Sequence, residues 1–236
     1  MRNATSAALF LIAAAVMAVA SQEPETLTYD VAAVDGKLFL ESENESRRLK
    51  PGDQAISGDH LRTARSSSAT LGVRSHAAVF RLGPKTSCTL AHDRPGLLLR
   101  VERGRLRAVF GTLSGAGPRL VTTPSAVLAV RGTEYGLRVK KNGVTRIVVF
   151  EGVVEVTDSA GLRPPIRVAA GQQTRVKPGK PVEPPVPHQL SPSDWDNGRT
   201  PPSPGMIGSA ARPGSPSGSS RPGASRSPGG SKRHGG

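Results

Sequence analysis

The chain has 236 residues, with 32 lysines and arginines against 18 aspartates and glutamates, so its formal net charge is +14. Only 36% of the residues are hydrophobic and 3% aromatic, while glycine and proline number 27 and 21. This composition favours a modest all-β core with disordered segments over a large enzyme. One cysteine cannot form an intramolecular disulfide, which excludes a small secreted scaffold held by such bonds.

The N-terminus has the pattern of a secretory signal peptide. Arg2 precedes an apolar stretch over residues 7–20, which ends in the small-residue cleavage motif Ala18-Val19-Ala20. A membrane span needs about 20 apolar residues, so this stretch is too short. We predict a signal peptide over residues 1–20, a polar lead over 21–26, and export to the periplasm or the medium. The alternative is an uncleaved N-terminal anchor.

Residues 27–176 consist of short segments in which apolar and polar residues alternate, separated by Gly, Pro and Asp. The clearest segments are 36–42, 69–73, 77–82, 104–110, 125–130, 135–141, 145–157 and 166–176. Asn142 and Gly143 suit a type I′ turn and predict a hairpin. The pattern predicts one all-β domain, either an antiparallel sandwich or a jelly-roll-like double-stranded β-helix.

Residues 177–236 are rich in Pro, Gly and Ser and carry eight basic and three acidic residues, a net charge of +5. Such a segment buries too little apolar surface to offset the entropy of ordering, so we predict a disordered basic tail. Trp195 is the only tryptophan of the chain. It is either part of a docking motif or a residue that folds back on the core, and the pattern does not rank the two.

Three short motifs lie early in the predicted domain. They are Gly52-Asp53, Gly58-Asp59 and Arg62-Thr63. An aspartate in such a place usually accepts a hydrogen bond from a backbone amide of its own turn. Two carboxylates supply too few oxygens for calcium, so we predict no metal site.

A further motif runs from Val130 to Gly136. Gly132 lies between a charged and a β-branched residue inside a strand pattern, which indicates a bulge or a close backbone approach. Arg131 and Glu134 could then form a charge-assisted pair beside Thr133. Arg131 would either recognise a ligand or be fixed in the fold, and we favour the structural interpretation.

Arg103, Arg105 and Arg107 share one face of a strand. Arg100 falls on the opposite face unless a bulge intervenes near Gly104. These arginines are candidate polyanion-binding residues, although the solvated face of an antiparallel sheet is the simpler interpretation.

Catalytic and cofactor-binding patterns are missing from the sequence. The histidines are isolated, and no nucleophile elbow or phosphate-binding loop occurs. Cys88 lies in the segment Ser87-Cys88-Thr89-Leu90-Ala91 and is predicted to be a buried small hydrophobe. We therefore expect no enzyme activity, no catalytic residues and no cofactor.

Taken together and in this order, the motifs resemble the FecR-domain family. They lie at residues 52–53, 58–63, 123–135, 151–156 and 170–172, so the resemblance covers roughly residues 30–176. It implies an exported bacterial all-β domain. In the named regulators of the family, this domain transmits a signal from an outer-membrane receptor to a sigma factor, through a cytoplasmic anti-sigma part. Only six residues precede the apolar stretch here, so we expect no such part in this chain.

The function that follows is a non-enzymatic exported domain that binds or scaffolds a cell-envelope component, either an anionic polymer or a protein. The alternative is an envelope signalling module that relays a signal to a membrane-bound regulator. Nucleic acid is not expected as a partner, because the protein is predicted to be exported and has few aromatic residues for base stacking. No membrane span is expected after cleavage of the signal peptide.

Overall fold

Strands make up most of the part of the chain that the structure describes. The computed structural model describes residues 26–42, 45–91, 93–112 and 117–200, so the predicted signal peptide, nearly all of the polar lead and the residues from 201 onward lie outside the described ranges. The strands in chain order are β1 (Thr28–Asp35), β2 (Leu38–Glu41), β3 (Ser46–Leu49), β4 (Gln54–Ile56), β5 (His60–Thr63), β6 (Ser68–Val73), β7 (Ala78–Leu82), β8 (Ser87–Leu90), β9 (Leu97–Phe110), β10 (Arg119–Thr122), β11 (Ala126–Val130), β12 (Glu134–Val139), β13 (Thr145–Glu151), β14 (Val153–Asp158), β15 (Ile166–Ala169), β16 (Gln172–Val176) and β17 (Val186–Pro187). A 3-10 turn lies at Arg74–His76, and a short helix, α1, spans Pro192–Asp196. The all-β prediction is confirmed.

The strands form two sheets that share β9. The order in sheet A is β4-β1-β6-β7-β9-β12-β13-β16-β17. The order in sheet B is β3-β2-β5-β8-β9-β10-β11-β14-β15. Neighbouring strands are antiparallel except β9 and β10, which are parallel. One buried apolar cluster includes side chains of both sheets, such as Leu71 and Leu61, so the sheets form a sandwich.

The shared strand β9 crosses from one sheet to the other at Gly104. Its first half, up to Arg103, pairs within sheet B, and its second half pairs within sheet A. Gly104 has φ +112°, and a Cβ there would lie 2.4 Å from Cα of Thr86. Only glycine fits this close approach of two backbones.

The crossing also changes which residues of β9 face the core. Leu99 and Val101 are buried before the crossing and Arg103 is exposed, whereas Leu106, Ala108 and Phe110 are buried after it. Arg100 and Arg105 therefore both point outward despite their odd spacing. The register of β9 with β8 shifts between Val101 and Arg103, so a bulge does intervene near Gly104.

Residues 140–144 join β12 and β13 in the predicted hairpin. The amide of Gly143 donates to the carbonyl of Lys140 at 2.9 Å, and Gly143 has φ +76°. Asn142 does not have a positive φ, so the turn is not type I′. The left-handed residue is the glycine alone, as in the three-residue hairpin loop that ends in a bulge.

Residues 177–200, which the composition assigned to a disordered tail, are instead folded against sheet A. Strand β17 pairs with β16, and the side chains of Val182 and Trp195 are buried. The proline-rich composition does not indicate this, because the segment has few large apolar residues besides the buried Trp195. The chain divides after Pro201, and its second unit, Pro202–Gly236, lies outside the described residues.

None of the helices in the described ranges combines the length and the apolar character that crossing a bilayer requires.

Candidate functional site

The two Gly-Asp pairs form turns, as the sequence predicts. Gly52 has φ +92° and Gly58 has φ +99°, which few residues other than glycine adopt. One carboxylate oxygen of Asp53 and one of Asp59 each accepts a hydrogen bond from the amide three residues earlier, at 2.8 and 2.9 Å. These aspartates stabilise the ends of short strands and do not converge on a common site.

The Arg-Thr pair that ends β5 also has structural partners. Arg62 forms an ion pair with Glu41, and its guanidinium lies 5.1 Å from the ring centre of Phe39. Thr63 is buried, and its hydroxyl accepts a hydrogen bond from the amide of Thr86 at 2.9 Å. The pair thus holds β5 against neighbouring segments.

The expected pair between Arg131 and Glu134 does not form. Arg131 is exposed, whereas Glu134 accepts a hydrogen bond from Arg107 at 2.7 Å. The chain turns between sheets B and A here, with Gly132 at φ +63° and Thr133 buried. This turn points Arg131 away from Glu134. The ion pair that forms instead, between Arg107 of β9 and Glu134 of β12, joins two strands that are distant in sequence.

Gly152, in the motif at residues 151–156, packs against this turn. A Cβ at Gly152 would lie 2.6 Å from the carbonyl oxygen of Gly132 and 2.9 Å from the side chain of Thr133. The turn between β13 and β14 therefore packs on the turn between β11 and β12. Both motifs maintain the packing of the sandwich and do not supply reactive groups.

Trp195 occupies a slot on the outer face of sheet A. A Cβ on Gly136 would lie 2.5 Å from the indole ring, so the missing side chain creates the slot. The indole Nε1 donates to the carbonyl of Leu106 at 3.0 Å, and the ring packs edge-on against Phe150. Of the two alternatives for Trp195, folding back on the domain is the one observed, and Gly136 within a strand pattern is the signal of such a close approach.

Two of the three candidate polyanion-binding arginines contact the segment that carries Trp195. Arg105 donates to the carbonyls of Trp195 and Gly198, both at 2.9 Å, and its guanidinium lies 5.3 Å from the indole centre. Arg107 lies between Glu134 and Asp196, with ion-pair distances of 2.7 and 2.9 Å. Partial burial alone would lower the pKa of Arg107, but these two carboxylates outweigh it and raise the pKa.

Arg103, the third candidate, is exposed and borders a groove of about 680 Å³. Four further arginines line this groove: Arg62, Arg65, Arg105 and Arg138. Lys85, Lys140 and Lys141 complete its cationic lining. None of the described residues that line the groove is acidic. Positive charge is thus concentrated in a concave surface where the two sheets meet, which can attract anions.

Burial disfavours the ionised forms of Cys88 and Tyr135. Cys88 is fully buried, as predicted, and burial together with the Glu102 carboxylate raises the pKa of its thiol. Burial also raises the pKa of Tyr135. Across residues 26–42, 45–91, 93–112 and 117–200, no three His, Cys, Asp or Glu side chains form a group that could hold a metal ion.

Comparison with known proteins shows which family part of the chain resembles. Residues 59–155 match the family model described as FecR protein, which confirms the resemblance. Two crystal structures of a candidate anti-sigma factor from Parabacteroides distasonis ATCC 8503, at 1.65 and 2.50 Å resolution, are similar with 15% sequence identity and a TM-score of 0.47. Each match covers 55% of this chain and 60% of the other, so this chain spans under two thirds of that protein. Among curated proteins, none matches the sequence.

Proposed function

We propose, proceeding from the FecR domain that residues 59–155 carry, that this chain is a non-enzymatic regulatory module of the bacterial envelope that relays a signal to a protein partner. The family match is the observation that carries the proposal. The apolar N-terminal pattern that ends at Ala20 supports an exported location.

The roles of the family motifs also favour binding over chemistry. Asp53, Asp59, Gly132 and Gly152 form turns and backbone contacts. These residues maintain the scaffold. We therefore expect other side chains of the outer surface to recognise the partner.

Deleting the gene and profiling transcripts tests the signalling role. We expect a defined group of transcripts to change and to be restored by the full chain. A chain that lacks residues 1–20 should not restore them, because it would stay inside the cell. An unchanged transcript profile, or restoration by the shortened chain, would contradict the proposal.

A second candidate function is the binding or scaffolding of an anionic envelope component. The groove beside Arg103 favours it, because eight cationic side chains line one concave surface. This function needs no signalling partner, so a transcript profile that does not respond to deletion would leave it as the better account.

A further inference from the structure

Arginines face one another across four neighbouring strands of sheet A. Arg105 on β9 is the register partner of Arg138 on β12, which is the partner of Arg146 on β13, which is the partner of Arg175 on β16. Like charges at directly opposite positions destabilise a sheet. A row of four therefore opposes the stability of the fold wherever its charge is not compensated.

The charge of this row is compensated unequally. At one end, Arg175 forms an ion pair with Glu183 at 2.9 Å. At the groove end, Arg105 donates to two backbone carbonyls and Arg138 to the hydroxyl of Thr200, and these acceptors are uncharged. Burial and then the charge of Arg138 lower the pKa of Arg105, while the Asp196 carboxylate offsets this in part. The groove end therefore has an excess of positive charge.

The C-terminal segment, residues 177–200, fixes the orientation of the Arg105 guanidinium at this end. Gly198 lines the groove, and its carbonyl accepts from Nη2 of Arg105, while the carbonyl of Trp195 accepts from Nη1. Both terminal nitrogens of the Arg105 guanidinium are thus anchored on one side, which leaves the rest of the groove open. A pre-positioned guanidinium loses less entropy when it binds an anion.

The lining residues indicate the class of ligand. No described lining residue has an aromatic ring, so the groove lacks the surfaces on which bases stack. Guanidinium groups match the oxygens of phosphate in paired hydrogen bonds, and one phosphate has enough oxygens to bridge two arginines such as Arg105 and Arg138. A volume of about 680 Å³ accommodates several such groups.

We propose that this groove binds a polymer of closely spaced phosphate groups, with Arg65, Arg103, Arg105, Arg138 and Lys141 as its main contacts. The inference extends the second candidate function and is independent of the signalling role. Two sources share this chemistry, inorganic polyphosphate and a polymer linked by phosphodiesters.

Binding of fluorescently labelled inorganic polyphosphate to the full chain tests the proposal by anisotropy at several salt concentrations. The test variant is Arg65→Gln, Arg103→Gln and Lys141→Gln together, three exposed groove residues. The matched control is Arg47→Gln, Arg163→Gln and Lys180→Gln, which removes the same charge from exposed positions elsewhere. The basic C-terminal residues are identical in both variants.

We expect the groove variant to bind at least about tenfold more weakly than wild type, while the control stays close to wild type. The slope of log K against log salt should decrease by about two in the groove variant only. Equal losses in both variants would overturn the proposal, since binding would then follow net charge. Absence of binding by the wild-type chain would overturn it as well.

Competition experiments define the ligand. An unlabelled phosphodiester polymer that competes as well as polyphosphate would identify the diester source, and one that fails to compete would identify the inorganic chain. Polyglutamate of similar length should compete weakly. If it competes as well as polyphosphate, the assignment to phosphate is wrong. A transcript response to gene deletion is measured separately, so signalling and phosphate binding can fail independently.

Discussion

Gly136 and Trp195 fit together as a slot and its occupant, since a Cβ on residue 136 would lie 2.5 Å from the indole ring. The two residues belong to parts of the chain that the composition assigns to different regions. Trp195 is the only tryptophan in the chain, so its fluorescence reports directly whether the C-terminal segment is docked.

Replacing Gly136 by alanine should displace the segment. The added methyl group would lie 2.5 Å from the indole, so we expect a red shift of the tryptophan emission and a loss of about 3 kcal/mol in the free energy of unfolding. Gly72→Ala is the matched control, because this strand residue of sheet A has nothing within 4 Å of the new Cβ. Identical emission spectra for both variants would show that Trp195 is not in the slot.

Gly152 and Gly171 separate steric crowding from backbone strain. Both have φ +76°, but a Cβ at Gly152 would lie 2.6 Å from a carbonyl oxygen, whereas Gly171 has open space. We expect Gly171→Ala to cost about 1 kcal/mol from its conformation alone. Gly152→Ala should cost about 1–3 kcal/mol more because two turns must move apart. Chemical denaturation of both variants measures the difference, and equal costs would disprove the close approach.

Two buried tyrosines should respond oppositely to removal of the hydroxyl group. The hydroxyl of Tyr29 donates to the carbonyl of Leu98, so Tyr29→Phe should lower the free energy of unfolding by about 1 kcal/mol. The hydroxyl of Tyr135 is buried without a partner among the described residues. Tyr135→Phe should therefore leave stability unchanged or raise it. A loss of more than about 1 kcal/mol in Tyr135→Phe would reveal a partner for this hydroxyl.

Docking of the C-terminal segment should weaken in acid. Hydrogen bonds from the side chain and then the backbone of Ser191, and the charge of Arg199, hold the pKa of Asp194 below its usual range. A depressed pKa contributes stability above the ordinary value of about 3.9, and the contribution disappears as pH falls through the lower folded value. We expect the Trp195 emission to shift to the red below about pH 4.

The Asp194→Ala variant should lose this pH dependence and show partial undocking at neutral pH. Asp93 provides a control, because its pKa is also lowered, by a hydrogen bond from Arg100, but it follows β8 and lies outside α1. Asp93→Ala should keep the acid transition of the wild type. An acid transition that persists in Asp194→Ala would assign the effect to another carboxylate.

Local patterns predicted most of the fold, because a strand with one buried face alternates apolar and polar residues along its sequence. Strands β6 and β7 alternate strictly, and the Asn142-Gly143 hairpin and the turns at Asp53 and Asp59 follow from short motifs. The predicted type of the hairpin turn was wrong, because the type depends on the φ of Asn142, which the sequence motif does not determine.

The site was predicted less well, because its contacts join residues that are distant in sequence. Glu134 was assigned to nearby Arg131, but strand pairing places Arg107 beside it. The cross-strand partnership of Arg105 and Arg138 likewise depends on which strands are neighbours. A local pattern places each arginine on a face but does not contain that register.

The shared strand β9 has a consequence for how the protein matures. Strands that precede it and strands that follow it both use its edges, so neither half of the sequence can complete its sandwich until residues 97–110 are in place. During synthesis, the strands before β9 would stay incompletely paired until residues 97–110 have been made. Strand β9 then provides the edges on which the later strands β10 and β12 pair. Because both sheets depend on this strand, they should unfold as one cooperative unit.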